Sequence, residues 1–170
     1  MFRLLFLLIY TNLFASLNDI QSFEADFIQN ITDMKQHTIS YSGHMVALRP
    51  SDALWSYTKP VKKEVYMNPY ELTIVEDELE QVIVKKVDTN FDFFRMLSGA
   101  KKIDDTTYKA SFNDIEFTIA TEKNLVKSIS YTDEFENSIT IDFTNQKLNH
   151  KIEKSTFTPK FSLDYDIIRD

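Results

Sequence analysis

The sequence ISYSGHMVALRPSDALWSYTKP, residues 39–60, contains two short runs in which apolar and polar side chains alternate. The apolar positions are Ile39, Tyr41, Met45 and Ala47 in the first run, and Ala53, Trp55 and Tyr57 in the second. Alternation of this kind is typical of strands that bury one face. Residues 50–52, Pro-Ser-Asp, form a turn signal between the runs, so the stretch predicts a β-hairpin. We expect this hairpin to form the floor and rim of an apolar cavity.

Composition places the chain among ordinary globular proteins. It has 170 residues, 43% apolar and 26% charged, as expected of one domain. The formal charge of −7 gives no indication of nucleic-acid binding. Phenylalanine and tyrosine are abundant, with 14 and 8 residues, which favours a β-rich protein with large apolar surfaces. The chain has no cysteine, so its stability must come from its core and not from disulfides.

Residues 1–16 are predicted to be a signal peptide. The segment Phe2–Phe14 is almost entirely apolar, carries one charge and is followed by two small residues. Its apolar core is short for a membrane span and fits a secretory signal, with a buried N-terminal strand or helix as the alternative. Because a bacterial lipoprotein needs a cysteine at its new N-terminus, we expect no lipid anchor. Residues 17–170 are then expected to form one domain in a bacterial periplasm.

Two segments of the mature chain are predicted to be helical. The first is an amphipathic helix, indicated by an apolar stripe with spacings of three and four residues. The stripe consists of Ile20, Phe23, Phe27, Ile31 and Met34. The second helix is shorter, covers Phe91–Leu97 and ends before Gly99.

The rest of the chain predicts ten or eleven short strands, most of them apolar on one face only. A sheet built from such strands must curl or pack on a second layer to bury that face. We therefore infer a mainly β (α+β) fold, a strongly curved antiparallel sheet with the helices laid across its concave side. Periodicity alone leaves a sandwich, a closed barrel and an open half-barrel as alternatives.

The sequence contains no recognisable catalytic or metal-binding motif. The histidines at positions 37, 44 and 150 are scattered, and no nucleophile elbow, phosphate loop or zinc motif is present. The acidic cluster Glu76–Glu80 falls in a predicted turn, where solvated carboxylates are common. We therefore expect no enzymatic activity, no cofactor, no catalytic residue and no metal site.

Four motifs, in order along essentially the whole mature chain, resemble the LolA family of periplasmic lipoprotein carriers. They are Ser22-Phe23-x-Ala25-x-Phe27-x-Gln29, Arg49-Pro50 followed by Trp55 and Thr58-x-Pro60, Leu79-Glu80-Gln81-Val82, and Phe157-Thr158-Pro159. The resemblance implies an open antiparallel half-barrel covered by helices. It also implies a carrier that binds the acyl chains of lipoproteins released from the inner membrane and delivers them to the outer membrane.

The resemblance further implies partners. These are an inner-membrane ABC transporter of the LolCDE type and an outer-membrane receptor of the LolB type. The carrier itself is expected to be a monomer that binds no nucleic acid. Two other functions remain open. One is a periplasmic lipid-sensing regulatory domain on the same scaffold. The other is a hydrolase of lipids or envelope glycans, which is disfavoured because the sequence lacks a recognisable arrangement of nucleophile and base.

The resemblance also implies roles for individual residues. The acyl-chain cavity is expected to be lined by Phe23, Phe27, Ile31, Trp55, Tyr57, Leu72, Ile74, Phe93, Phe94 and Leu97. Arg49 is expected to latch the lid by donating to backbone carbonyls, a task that suits the five donors of a guanidinium. Without the resemblance, the apolar residues would be ordinary core and Arg49 an ordinary surface arginine at a strand end.

Overall fold

The computed structural model describes residues 16–86 and 92–169, so most of the predicted signal peptide lies outside the described residues. These residues form twelve strands and one α-helix. The strands are β1 (Ser22–Thr32), β2 (Thr38–Leu48), β3 (Asp52–Lys59), β4 (Lys63–Met67), β5 (Glu71–Glu76), β6 (Gln81–Lys86), β7 (Lys101–Lys102), β8 (Thr107–Phe112), β9 (Ile115–Glu122), β10 (Leu125–Thr132), β11 (Ser138–Leu148) and β12 (Asp166–Arg169). The helix is α1 (Phe93–Gly99), and single 3-10 turns cover Leu17–Asp19, Asp77–Leu79 and Lys154–Phe157.

All twelve strands belong to one sheet, in the order β12-β6-β5-β4-β3-β2-β1-β11-β10-β9-β8-β7. Neighbouring strands are antiparallel, except that β12 runs parallel to β6. The two outermost strands, β12 and β7, do not pair with each other, so the sheet is open. Among the three architectures that periodicity left open, the protein therefore adopts the open curved sheet, with one or two more strands than predicted.

The first predicted helix is wrong, because residues 22–32 form β1 at the centre of the sheet. Phe23, Phe27 and Ile31 are four residues apart, and a spacing of four places side chains on one face of a strand as well as of a helix. Ala25 lies between the first two and is fully buried beside them, which reveals the period of two. Pairing with the long strands β2 and β11 on both sides fixes the extended conformation.

The concave face of the sheet carries the main hydrophobic core. Cross-strand neighbours on β1, β2 and β3 contribute a continuous buried row, since Met45 lies opposite both Ala25 and Trp55. Strands β8 to β11 contribute a second set of buried residues, Ala110, Phe117, Ile119, Val126, Ile129, Ile139, Ile141 and Phe143. Both sets form one cluster with α1, so the sheet curves around the helix.

Gly43 of β2 occupies a point of close approach inside this core. It lies opposite Phe27 in the β1–β2 pair. A Cβ atom at this position would lie 2.1 Å from the Ser56 carbonyl oxygen and 2.9 Å from the Phe27 ring. Only glycine therefore allows the ring and the neighbouring backbone to pack here.

The C-terminal segment covers part of the convex face. A small second cluster of Tyr66, Val75 and Val82 lies there and packs against Tyr165 of this segment. The chain then adds β12 to the edge of the sheet next to β6. This layer therefore lies on the side of the sheet opposite the main core.

The second predicted helix is confirmed as α1, which begins at Phe93, whereas Phe91 of the predicted range lies outside the described residues. It is the one α-helix in residues 16–86 and 92–169, so the expected pair of covering helices is reduced to a single seven-residue helix. No helix within these residues is both long enough and apolar enough to cross a membrane.

Candidate functional site

The helix α1 covers the concave face through an almost entirely apolar surface. Phe93, Phe94, Met96 and Leu97 are each at most 4% exposed. The Phe93 ring lies 4.9 Å from the ring of Phe23 on β1. Burying side chains of this size contributes about 1.5–3 kcal/mol each, so the covered position is favoured when nothing else occupies the concave face.

Arg49, directly after β2, connects three parts of the molecule. Its Nε donates to the Ile20 carbonyl at 2.7 Å, and its Nη2 donates to the Asn18 carbonyl at 3.3 Å and to the Ser98 hydroxyl at 3.1 Å. Its guanidinium carbon lies 4.8 Å from the centroid of the Phe94 ring. The carbonyl acceptors thus belong to the N-terminal segment, whereas the contacts with α1 are a hydroxyl and an aromatic face.

A second tether joins the same turn to the other end of α1. The Ser51 hydroxyl donates to Oδ2 of Asp92 at 2.6 Å. The other oxygen of Asp92 caps the helix by accepting from the backbone N–H groups of Phe94 and Arg95, at 2.9 and 3.0 Å. Arg49 and Ser51 therefore hold the helix near its C-terminal and N-terminal ends respectively.

Ser51, Asp92 and Ser98 were not among the predicted site residues. An aspartate directly before an apolar pair is a recognised N-cap signal, so Asp92 could have been found. The two serines carry no local signal, because their partners are 41 and 49 residues away in the chain.

The structure brings most of the predicted lining residues together. Phe23, Phe27, Ile31, Trp55, Tyr57, Phe93, Phe94 and Leu97 share the main core. Phe27 is central, since its ring lies 5.0 Å from Trp55 and 5.1 Å from Tyr57 in edge-to-face contacts. Leu72 and Ile74 lie outside this cluster and are half-buried on β5. Their partners on β4, Met67 and Val65, are partly buried and pack against the cluster.

Beside α1, the concave face leaves a groove of about 150 Å³. Its lining residues are Gln29, Trp55, Tyr57, Val65, Met67, Tyr131 and Ile141. Pockets that hold small molecules usually measure about 300–1,000 Å³, so this groove is small for a lipid. In this conformation the protein's own side chains fill most of the concave face, and a long apolar guest requires α1 to move.

A wider cleft of about 870 Å³ lies at the other edge of the sheet. It is bordered by Ser16, Leu17, Ala100, Lys102, Asp105, Tyr108, Thr121 and Asn124. Charged and polar groups interrupt its apolar lining, so it lacks the continuous apolar surface that acyl chains require.

Glu24 is the centre of a charged cluster on the convex face. Its carboxylate lies 2.7 Å from Lys147 Nζ, 2.8 Å from His150 Nε2 and 3.5 Å from His44 Nε2. The hydrogen bond from Lys147 holds the pKa of Glu24 below its ordinary value, against the opposing effect of burial. Within the described parts of the chain, no group of three or more His, Asp or Glu residues is arranged to hold a metal ion.

Comparison with known proteins finds a matching family model and relatives that share one name. The family model "Outer membrane lipoprotein carrier protein LolA" matches residues 18–109. The outer-membrane lipoprotein carrier protein of Campylobacter jejuni is 39% identical over 166 residues, which cover 98% of this chain and 97% of that protein. The proteins of the same name from Wolinella succinogenes and Helicobacter pylori HPAG1 are 31% and 36% identical. These matches cover 91% of both chains for Wolinella, and 90% of this chain and 83% of the relative for Helicobacter.

Solved structures share the fold at low sequence identity. A LolA superfamily protein from Nitrosomonas europaea superimposes with a TM-score of 0.54 at 11% identity, over 84% of this chain and 94% of that one. An uncharacterized conserved protein from Thermus thermophilus gives 0.55 at 11% identity, over 90% and 93%. At this identity the likeness concerns the fold alone, whereas the sequence matches are much closer. The chain therefore belongs to the LolA family of outer membrane lipoprotein carrier proteins.

Proposed function

We propose that this protein is a periplasmic carrier that binds the acyl chains of lipoproteins released from the inner membrane and delivers them to the outer membrane. The observation that carries the proposal is the concave apolar face, covered by one short helix that the turn at residues 49–51 tethers at both ends. In this proposal residues 1–16 form the signal peptide that directs export. The predicted lining residues receive the acyl chains, and Arg49 latches α1.

Burial of the cargo requires a large and weakly selective apolar surface. Each methylene group moved from water to an apolar site gains about 0.8 kcal/mol, so two or three acyl chains carry on the order of 20–40 kcal/mol that must be hidden. A curved sheet rich in aromatic side chains provides such a surface without a deep polar pocket. The protein can therefore accept lipoproteins whose protein parts differ.

Release of the cargo requires that the empty protein have a favourable state of its own. When acyl chains enter, they replace the apolar side chains of α1 against the sheet. When they leave, α1 returns and restores the tethers of Arg49 and Ser51. The covered empty state thus offsets part of the free energy lost on release, as a two-state lid requires.

The partners follow from this cycle. We propose that an inner-membrane ABC transporter of the LolCDE type loads the carrier, and that an outer-membrane receptor of the LolB type unloads it. We propose that the carrier acts as a monomer, since one copy contains both the concave face and the helix that covers it.

The proposal is tested by purifying the carrier from the periplasm and identifying bound molecules by mass spectrometry. We expect lipoproteins with two or three acyl chains, and their transfer to acceptor membranes in a reconstituted assay. Recovery of a signalling protein such as an anti-sigma factor, without lipoproteins, would contradict the proposal and favour a regulatory domain.

A further inference from the structure

The groove beside α1 contains polar groups that packing does not explain. Gln29 lies in the inward row of β1, where its neighbours at positions 27 and 31 are apolar. It pairs with Tyr41 on one side and Ile141 on the other, and it faces the groove together with Tyr57 and Tyr131. A strand that only packed a core would carry an apolar residue here.

Two hydrogen-bond donors in this groove have no acceptor among the described residues. The Tyr57 hydroxyl donates to Oε1 of Gln29 at 3.0 Å and so fixes the orientation of the amide. Within residues 16–86 and 92–169, neither the Gln29 amide NH₂ nor the Tyr131 hydroxyl has a hydrogen-bond partner. Both groups border an otherwise apolar groove and are available to a guest.

Both tyrosines keep their protons over the physiological range. Burial, followed by the neighbouring Tyr131 and Tyr41, raises the pKa of Tyr57 to about 12. Burial, followed by Asp133, raises the pKa of Tyr131 as well. The tyrosine hydroxyls and the Gln29 amide are therefore neutral donors, from which a carbonyl oxygen can accept. The Lys63 ammonium lies close by, 4.8 Å from the centre of the Tyr57 ring, so the test below includes a phospholipid head group.

We propose that Gln29, Tyr57 and Tyr131 form a subsite for the ester and amide carbonyl groups at the head of the acyl chains. The proposal rests on the carrier function and specifies which part of the cargo the concave face recognises. From Gln29, the inward row of β1 runs six residues to Phe23 beneath α1, a distance of about 20 Å. Carbonyls held at Gln29 would thus direct the hydrocarbon towards the space that α1 covers.

The test compares lipids that differ only in their carbonyl groups. The probes are 1,2-dioctanoylglycerol, which has two ester carbonyls, and 1,2-di-O-octylglycerol, the ether analogue without them. Each displaces a fluorescent apolar dye from the purified carrier. Wild-type protein should bind the ester about threefold to tenfold more tightly per hydrogen bond formed.

Two variants alter the subsite, and a third serves as the control. Tyr131→Phe removes one hydroxyl, and Gln29→Leu removes the amide and replaces it with an apolar side chain. In each variant the preference for the ester should fall by the contribution of one hydrogen bond, about threefold to tenfold, with ether binding retained. Tyr66→Phe is the matched control, because Tyr66 lies in the convex-face cluster where its hydroxyl donates to Glu64. It should keep the full preference.

The outcomes separate this proposal from the carrier function. Equal binding of ester and ether by wild-type protein, or a preference that survives undiminished in both subsite variants, would overturn the subsite while leaving the carrier function intact. Failure of both lipids to bind would overturn the carrier function, and the subsite with it. A final arm compares a diacylglyceryl-cysteine peptide with phosphatidylglycerol of equal chain length. Preference for the peptide supports lipoprotein as the source of the carbonyls, and preference for the phospholipid counts against it.

Discussion

Arg49 shows how one side chain can couple several segments. A lysine at this position would offer a compact point charge, whereas the planar guanidinium reaches two carbonyls, a hydroxyl and an aromatic face at once. The contacts with Ser98 and Phe94 exist only while α1 covers the concave face. In the proposed cycle, the residue is therefore expected to stabilise the covered state relative to the loaded one.

Replacing Arg49 with leucine should impair release and leave loading intact. The variant loses the hydrogen bonds to the Ile20 and Asn18 carbonyls as well as those contacts that reach α1, the hydrogen bond to Ser98 and the contact with the Phe94 ring. The Ser51–Asp92 tether and the apolar face of α1 remain, so the protein should still fold. Because the covered empty state is weakened by about 1–1.5 kcal/mol, transfer of cargo to acceptor membranes should slow about tenfold. Arg169→Leu is the control, since Arg169 is exposed on the edge strand β12 and belongs neither to the turn nor to α1. Transfer at the wild-type rate by the Arg49 variant would exclude the latch role.

Replacing Glu24 with glutamine should destabilise the protein in a pH-dependent way. The pKa of Glu24 is lowered in the folded state, chiefly by the hydrogen bond from Lys147, so its ionised form stabilises the fold above its ordinary pKa of about 4.5. This stabilisation is lost as the pH falls through the lowered folded-state pKa. Denaturant unfolding should give a loss of about 1–2 kcal/mol at pH 7 and almost none at pH 3.

The matched control for this change is Glu116→Gln, in an exposed pair 3.8 Å from Lys109. Surface pairs of this kind contribute little, so this variant should be near wild type at both pH values. A deficit of the Glu24 variant that is the same at both pH values would show that its charge is not the cause.

At the scale of elements, the close contact at Gly43 predicts a large effect on β2. Gly43→Ala places a methyl group where the Ser56 carbonyl and the Phe27 ring already lie, so the strands must shift. We expect the free energy of unfolding to fall by about 1–3 kcal/mol or more, measured by urea denaturation. Gly99→Ala is the control, because its Cβ would meet no atom within 4 Å, and alanine is the better helix former. Equal stabilities of the two variants would contradict this packing account.

The elements also show what the sequence could and could not predict. Strands with alternating patterns, such as those in the hairpin of residues 39–60, were predicted at nearly their observed positions. β1 was missed because its large apolar residues are four apart, a spacing that fits both a helix and a strand. Pairing with the long strands on both sides fixes the extended conformation, and the sequence does not reveal this pairing. Most of the predicted lining residues share the main core, because alternation along the strands already assigns them to one face. The tethers of Ser51 and Ser98 depend on long-range contacts that no local pattern contains.

At the scale of the whole molecule, the open sheet and the short helix have different roles. The strands from β1 to β6 and from β8 to β11 are joined by continuous ladders, so they form a rigid wall. The helix α1 is seven residues long, too short to be stable without the contacts it makes with that wall. Because the free volume of the groove is small, we expect the proposed entry of cargo to displace the helix and not the sheet.

Loading should therefore change the protection of α1 and leave that of the central strands unchanged. In the empty protein, the backbone N–H of Met96 donates to the Asp92 carbonyl at 2.9 Å, and that of Ala100 to the Leu97 carbonyl at 3.3 Å. Displacement by acyl chains removes the apolar contacts that support these bonds. Hydrogen exchange followed by mass spectrometry should show roughly tenfold faster exchange over α1 in the loaded carrier. The peptide that covers β1 is the internal reference, because its ladders to β2 and β11 persist. Equal protection of α1 in empty and loaded carrier would mean that the cargo enters without moving the helix, and the two-state lid would have to be abandoned.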